Sequence, residues 1–469
     1  MNYNDATPNL QVKALCSSTM AKPEQRGEAQ SADLLGSTYG SSSNSTKISK
    51  KQKDNLTLTR NNSYFFQDNL RQIIHNHHEK GSDHRLCSCG VVPTEQFMKV
   101  KGEQGVAIQS PVFLRRDKTG AAFTGLAKCD NPFYCPVCAP VQLIDKSNEI
   151  KSIVSNFLEE NENHTTLMVT QTFSHSIDDK LKPLIQLLTK VNGSLKAGRF
   201  RKDLEANFGF FSAIRAIEST YSDVHGWHPH LHEIWFFKKK LTVSDVLNLK
   251  DVLFKKYVTL LEKKGYSASA ERGIDISFTT TEGTEVIKYS TSTLMPTDKT
   301  LVVSSSASAA LYVSKFDKEL TFEFTKIQKL KNLSFFGLLA RYSYENNTHD
   351  RLLIIEFVNA VFRQRRIFVP KQLKAYISDV ETVENLDNER PVIFEFTRKE
   401  WLQVCFRKQR QSIISIANNK AYTDEMVCKF VRALLDQPHV IIPPDEYKFL
   451  NQRRVRDISE WDWTFNNAA

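Results

Sequence analysis

Four histidines, His225, His228, His230 and His232, stand within eight residues in HGWHPHLH, a third of the twelve in the chain. In a β-strand, side chains alternate between faces. His230 and His232 then point the same way, with Leu231 on the opposite, buried face. Two imidazoles on one face of a strand can chelate a divalent ion. Glu218 ends the preceding strand and would lie across the hairpin as a third ligand. Such a set leaves coordination positions for water or phosphate oxygens, which suits Mg2+ or Mn2+ in phosphoryl chemistry. A bland alternative is a surface strand with chance histidines, and a zinc hydrolase or a cupin uses similar pairs.

A second group is ALYVSKF, which sets Tyr312 and Lys315 at i and i+3 on one helix face. A tyrosine hydroxyl that loses its proton can attack a phosphodiester, which is covalent catalysis, and a lysine beside it can hold the phosphate or neutralise charge. The bland alternative is a core tyrosine packed with Leu311 and Val313. Tyr289 is a rival nucleophile: EVIKY places Glu285 four residues before it, a spacing that also aligns on a helix. A small-molecule hydrolase would not explain a nucleophilic tyrosine beside a lysine. A third group is cysteine-based. Cys87 and Cys89 form C-x-C, Cys129 follows, and Cys135 and Cys138 form CPVC. Two close cysteine groups about forty residues apart can close a tetrahedral Zn2+ site. Five thiols compete for four places. Cys16, Cys405 and Cys428 look isolated.

The elements that must position these groups follow from periodicity. Ile150, Ile153, Val154, Phe157 and Leu158 recur at helical spacing, TTLMVTQTF (165–173) reads as a strand, and Leu184, Leu187, Leu188, Val191 and Leu195 give a second helical stripe. FGFFSAIRAIEST (208–220) and HPHLHEIWFF (228–237) read as a hairpin. Thr242 and Asp245 form a capping box that opens a helix bearing Val246, Leu249, Leu253, Tyr257 and Leu260, and GIDISF (273–278) is again a strand. The order β-α-β-β-α-β predicts an α+β fold, an antiparallel sheet with helices in a split-βαβ, RRM-like arrangement, beside an N-terminal zinc-ribbon-like module. Residues 279–305 read as a loop and 306–320 as a helix.

These motifs, in this order, resemble the replication initiators of rolling-circle plasmids, a branch of the HUH endonucleases. His230-Leu231-His232 matches the HUH signature. TLMVTQTF with Ser174-His175-Ser176 is similar to the family's first motif, and YVSK followed by Glu319-Leu320-Thr321 to its nucleophile helix. FGLLAR (336–341) and EFVNAVFRQRRIFVPKQLKAYI (356–377) are similar to a later segment. The likeness covers roughly residues 87–377. It implies a metal-dependent endonuclease and strand transferase that nicks plasmid origin DNA through a 5′-phosphotyrosine, with strand displacement by host helicase and DNA polymerase. It implies Tyr312 as nucleophile with Tyr289 as alternative, and His175 as an alternative to Glu218 beside the metal. The family's Cys-Gly pair, here Cys89-Gly90, selects Cys89, Cys129, Cys135 and Cys138 for zinc, with Cys87 the alternative. An HUH transposase or mobilisation relaxase would share this chemistry. A non-catalytic zinc-containing DNA-binding regulator would keep the cysteines but have no use for HPHLH with YVSK.

The chain of 469 residues has room for a sizeable core, and 41% of it is apolar. The expected division is a disordered tail over 1–60, a Cys-rich module over 61–140, the catalytic domain over 141–330 and a basic C-terminal region over 331–469. Thirty Phe are many for this length and need interiors or nucleobases to sit against. Lys and Arg number 63 against 53 acidic residues, a surplus of +10 that favours polyanions. RQRR (363–366), RKQR (407–410) and RRVR (453–456) concentrate it, although solvated helix faces account for most such runs. No signal peptide or membrane-length apolar run stands out, so the expected location is the bacterial cytoplasm, where cysteines are thiols or metal ligands.

Overall fold

A computed structural model of the chain describes residues 46–98, 106–109, 111–282, 285–292, 298–304 and 332–437. In chain order its strands are β1 (Glu95–Met98), β2 (Val106–Gln109), β3 (Val112–Asp117), β4 (Gly120–Thr124), β5 (Thr165–Gln171), β6 (Phe210–Ser222), β7 (Gly226–Phe237), β8 (Ile274–Glu282), β9 (Glu285–Ser290), β10 (Ile367–Phe368) and β11 (Val392–Phe396). A six-stranded sheet runs β10-β6-β7-β5-β8-β9, every neighbour antiparallel. The expected mixture of helices and antiparallel sheet is what the described residues form.

The sheet's two faces follow from the period of two in its strands. Leu167, Val169, Ile217, Leu231, Trp235, Ile276 and Phe278 line one face. Helices Leu181–Leu195 and Val243–Glu262 cover it with Leu184, Leu188, Leu249, Leu253 and Tyr257. The second of these helices starts where expected: Thr242 and Asp245 form a capping box. Each fully buried Leu or Ile contributes roughly 1.5–3 kcal/mol, so this layer fixes the register of β5, β7 and β8. On the other face Met168, Ile214, Ile234 and Phe236 pack under helix Cys138–Glu160 through Ile150, Ile153, Val154 and Phe157. That apolar cluster stops at Ala216 and Ile234. Beyond it the same face turns polar, toward the hairpin turn at Gly226. There φ is +72°, and a Cβ would lie 2.6 Å from the Ile177 carbonyl oxygen, so only glycine fits without displacement.

Three expectations are corrected. Of the expected 1–60 tail, residues 1–45 lie outside the described residues, and 50–60 belong to Lys50–His77, a 28-residue helix opened by a Ser49–Gln52 capping box. Its polar composition hides a buried stripe of Leu56, Phe66, Leu70, Ile73 and Ile74. Within the stretch 279–305 expected to be a loop, residues 279–282 end β8 and 285–290 form β9. EVIKY is therefore strand and not helix; Val286, Ile287 and Tyr289 pair with Thr281, Thr280 and Phe278, and β-branched residues suit that pleat. Finally, the described parts of 61–140 and 331–469 pack together. β11 joins β3 and β4 in one sheet, and Val112, Leu114 and Phe123 share a core with Phe396, Trp401, Ile413 and Val427. Trp401 Nε1 donates to the Val91 carbonyl at 2.8 Å. Among the described residues no helix is long and apolar enough to cross a membrane.

Candidate metal centres

The long β6–β7 hairpin sets Glu218 opposite His230 and Ala216 opposite His232. Residues directly opposite share a face, so Glu218, His230 and His232 all rise from the polar end of one face. Nε2 of His230 lies 2.9 Å and Nε2 of His232 3.2 Å from the same oxygen, Oε2 of Glu218. The side chains are 15%, 8% and 21% exposed for His230, His232 and Glu218. One ligand atom from each lies within 4.8 Å of the others. Neighbouring ligands of an octahedral ion at about 2.1 Å stand roughly 3 Å apart, so the donor set fits a divalent cation and leaves positions open. Burial would raise the Glu218 carboxyl, but the His230 and His232 imidazoles outweigh it and hold it well below the usual carboxylate range.

Around this cluster are residues that sequence reasoning missed. Thr170 on β5 sits opposite His232, and its Oγ1 is 3.1 Å from His232 Nδ1. With Nδ1–H donating to that hydroxyl, the lone pair of Nε2 faces Glu218, the usual way a ligating imidazole is oriented. Asp275 follows in the same row, opposite Thr170, and accepts from the hydroxyls of Ser290, Thr291 and Ser292 at 2.7, 3.1 and 2.8 Å. The signal available was positional: both lie on the histidine face once β5 and β8 are aligned, but the sequence does not give that alignment. His175 stands with His228 instead of Glu218's partners. Its Nε2 is 2.9 Å from His228 Nδ1, and His228 Nε2 is 3.3 Å from Thr172 Oγ1. Burial, with His230 and His175 nearby, lowers His228 to about 4.

Tyr312 and Lys315 lie outside the described residues. Tyr289 is described, and it is on the wrong side of the sheet for the histidines. It pairs with Phe278, stacks on that ring at 5.5 Å, and packs against the core that contains Leu231.

The cysteine group is closed where the histidine group is open. Cys89, Cys129, Cys135 and Cys138 converge, with Sγ–Sγ distances of 3.7 Å for Cys89–Cys135, 3.4 Å for Cys89–Cys138 and 3.8 Å for Cys129–Cys138. Four sulfurs at 2.3 Å from a tetrahedral ion stand roughly 3.8 Å apart, so this donor set fits zinc. Hydrogen bonds from Cys129, Cys135 and Cys138 hold the Cys89 thiol well below its ordinary range, and the thiolate is the ligating form. Cys87 is not part of the group. Burial pushes it up to about 11, and its thiol donates to the Gly81 carbonyl at 3.6 Å. Two buried guanidiniums grip the turn that carries Cys89: Arg71 Nη2 donates to the Cys89 carbonyl at 2.9 Å and Arg410 Nη1 to the Gly90 carbonyl at 2.8 Å. Gln67 Nε2 donates to Cys135 Sγ at 3.6 Å.

Over 136 residues the chain is 29% identical to "Protein rep" of Streptomyces lividans, which covers 24% of this chain and 29% of that protein. Over 147 residues it is 29% identical to "Neomycin resistance protein" of Streptomyces cyanogenus, covering 26% of this chain and 33% of that one. The chain thus spans about a third or less of the length of the curated relatives it matches. No family model and no solved structure matches. The Rep-type likeness read from the motifs is met, over about a quarter of the chain, by a relative that carries the name of a Rep protein.

Proposed function

We propose that the chain initiates rolling-circle replication of a plasmid, as a sequence-specific DNA-nicking and strand-transfer enzyme of the HUH type. The observation that carries this reading is the convergence of two histidine Nε2 atoms on one Glu218 oxygen at 2.9 and 3.2 Å, on a sheet face that is otherwise polar there. The order β6-β7-β5-β8, with helices between β5 and β6 and between β7 and β8, supports a split-βαβ reading of the catalytic sheet. The Rep-named relative supports origin DNA as substrate.

In this reading the Tyr312 oxygen attacks the scissile phosphorus as its proton passes to a base. The bond from phosphorus to the 3′-oxygen breaks, and the leaving oxygen takes up a proton. The products are a 5′-phosphotyrosine and a free 3′-hydroxyl, and the retained phosphoester allows later rejoining. Lys315, three residues on in sequence, neutralises charge at the phosphate. Glu218, His230 and His232 would hold Mg2+ or Mn2+, which supplies Lewis-acid polarisation of the phosphate when bound. Thr170 fixes the His232 ring. Cys89, Cys129, Cys135 and Cys138 would hold Zn2+ as a staple between the turn that follows Arg85–Ser88 and the start of the Cys138–Glu160 helix. Tyr289 faces away from the histidines and is set aside as nucleophile.

The test uses the purified chain, Mn2+ or Mg2+, and supercoiled DNA of its own replicon. A covalent protein–DNA adduct is expected from the parent and from Tyr289→Phe, and none from Tyr312→Phe. Intact DNA binding with no nick and no adduct under either metal would overturn the enzyme reading in favour of a DNA-binding regulator.

A further inference from the structure

The turn that carries Cys89 is also where two C-terminal helices meet the cysteine group. Three consecutive carbonyls there accept from side chains of three different helices. Arg71 of Lys50–His77 donates to Cys89, Arg410 of Arg410–Asn418 to Gly90, and Trp401 Nε1 of Arg398–Phe406 to Val91, at 2.9, 2.8 and 2.8 Å. Arg410 and Trp401 are fully buried. Gly90 makes room for the approach: its φ is +65°, and a Cβ would lie 3.3 Å from Arg410 Nη1. Gly90 N in turn donates to the Ala127 carbonyl at 2.8 Å, two residues before Cys129.

The same guanidiniums are tied to the sulfurs. Gln67 Oε1 accepts from Arg71 Nη2 at 3.2 Å and from Arg410 Nη1 at 2.9 Å, while its Nε2 donates to Cys135 Sγ at 3.6 Å. Asp68 Oδ1 accepts from both arginines. Two buried guanidiniums thus share one carboxylate, and a buried charge without a counter-charge is strongly unfavourable. Four thiolates around one Zn2+ carry a net negative charge. Such a cluster would supply that counter-charge one glutamine side chain away, and would fix Cys89 and the direction of the three carbonyls.

We propose that this turn is a zinc-dependent latch. Metal at Cys89, Cys129, Cys135 and Cys138 holds residues 398–418 in place, and the docked helices tighten the metal in return. Coupling of this kind is reciprocal: the factor that metal adds to docking is the factor that docking adds to metal affinity. The latch rests on the reading of the four cysteines as a zinc site. Glu218, His230 and His232 lie on the six-stranded sheet and take no part in it.

The experiment uses the full chain, with zinc counted by elemental analysis and then removed by a chelator. Hydrogen exchange read by mass spectrometry compares peptides of 398–418 with peptides of β5 and β7. Chelation is expected to speed exchange over 398–418 about tenfold, reversibly on adding Zn2+, and to leave β5 and β7 within about twofold. Zinc affinity is then measured by competition with a chelating dye. Arg410→Gln should weaken it about tenfold, and Trp401→Phe, which keeps a ring and removes the N–H, about fivefold. Should Arg410→Gln fail to fold, the parent and Trp401→Phe decide. Exchange over 398–418 that ignores chelation, or that rises equally in β5 and β7, would overturn the latch. So would zinc affinity unchanged in both variants. If the parent holds zinc and 398–418 is indifferent to it, the latch falls and the zinc site stands. A parent that takes up no zinc removes both.

Discussion

The two candidate metal centres use opposite designs. Every cysteine of the sulfur group is at most 6% exposed, and buried arginines reach its turn from two separate helices. The histidine group sits at the open end of a sheet face, where the apolar cover stops at Ala216 and Ile234. A closed site has all its ligands from the protein and contributes to folding; an open one keeps positions for water and substrate and contributes little to it. Exposure and position in the fold are what separate the two candidate centres.

The comparison predicts unequal consequences. Cys135→Ser should have the largest effect on stability: loss of bound zinc and more than about 5 kcal/mol, since structural zinc contributes about 10–16 kcal/mol of folding free energy in small modules. Thermal melting with metal analysis checks this, and His230→Ala should leave both readouts close to the parent. Arg410→Ala comes next, at about 3–5 kcal/mol. Its guanidinium is fully buried, accepted by Gly90 and Gln67 and paired with Asp68. Arg410→Lys should rescue little, because one ammonium cannot reproduce the planar fork. A melt indistinguishable from the parent would show that the arginine layer is not what secures the cysteine turn.

Smaller effects belong to the open site. Thr170→Val keeps the shape of the strand and removes the hydroxyl beside His232 Nδ1. It should weaken Mn2+ binding about 10–100-fold with no change in melting temperature, as read by calorimetric titration. The least is a pH effect in the metal-free protein. The Glu218 carboxyl is held well below its ordinary value of 4.5 by the His230 and His232 imidazoles. Its contribution to stability is therefore present above that value and lost as pH falls through the lowered one. Glu218→Gln should remove that acid-side portion of the stability profile, and an unchanged profile would show that the carboxylate gains nothing from its histidines.

Much of this was legible where periodicity and pairing are local. The spacing of His230, Leu231 and His232 fixes which of them share a face, and a tight hairpin brings Glu218 opposite. Thr242 and Asp245 announce a helix start for the same local reason. What was hidden depends on distant segments. Thr170 and Asp275 look like any threonine and aspartate until β7, β5 and β8 are aligned. The junction of β11 with β3 spans about 280 residues of sequence and has no local signature. EVIKY was misread because Glu285 and Tyr289 fit a helix at i and i+4 and a strand at even spacing equally well. The Lys50–His77 helix was masked by polar residues such as Gln52 and Gln67, which are buried and hydrogen-bonded to Asn148 and Cys135.

The most direct test of the division between the two centres is metal stoichiometry in the parent and in Glu218→Gln. Zinc is counted by elemental analysis, and Mn2+ by electron paramagnetic resonance titration. The account predicts one tightly held zinc in both proteins, and one exchangeable Mn2+ in the parent whose affinity falls at least about a hundredfold in the variant. Mn2+ binding that survives Glu218→Gln, or zinc that is lost with it, would contradict the assignment of one closed and one open centre.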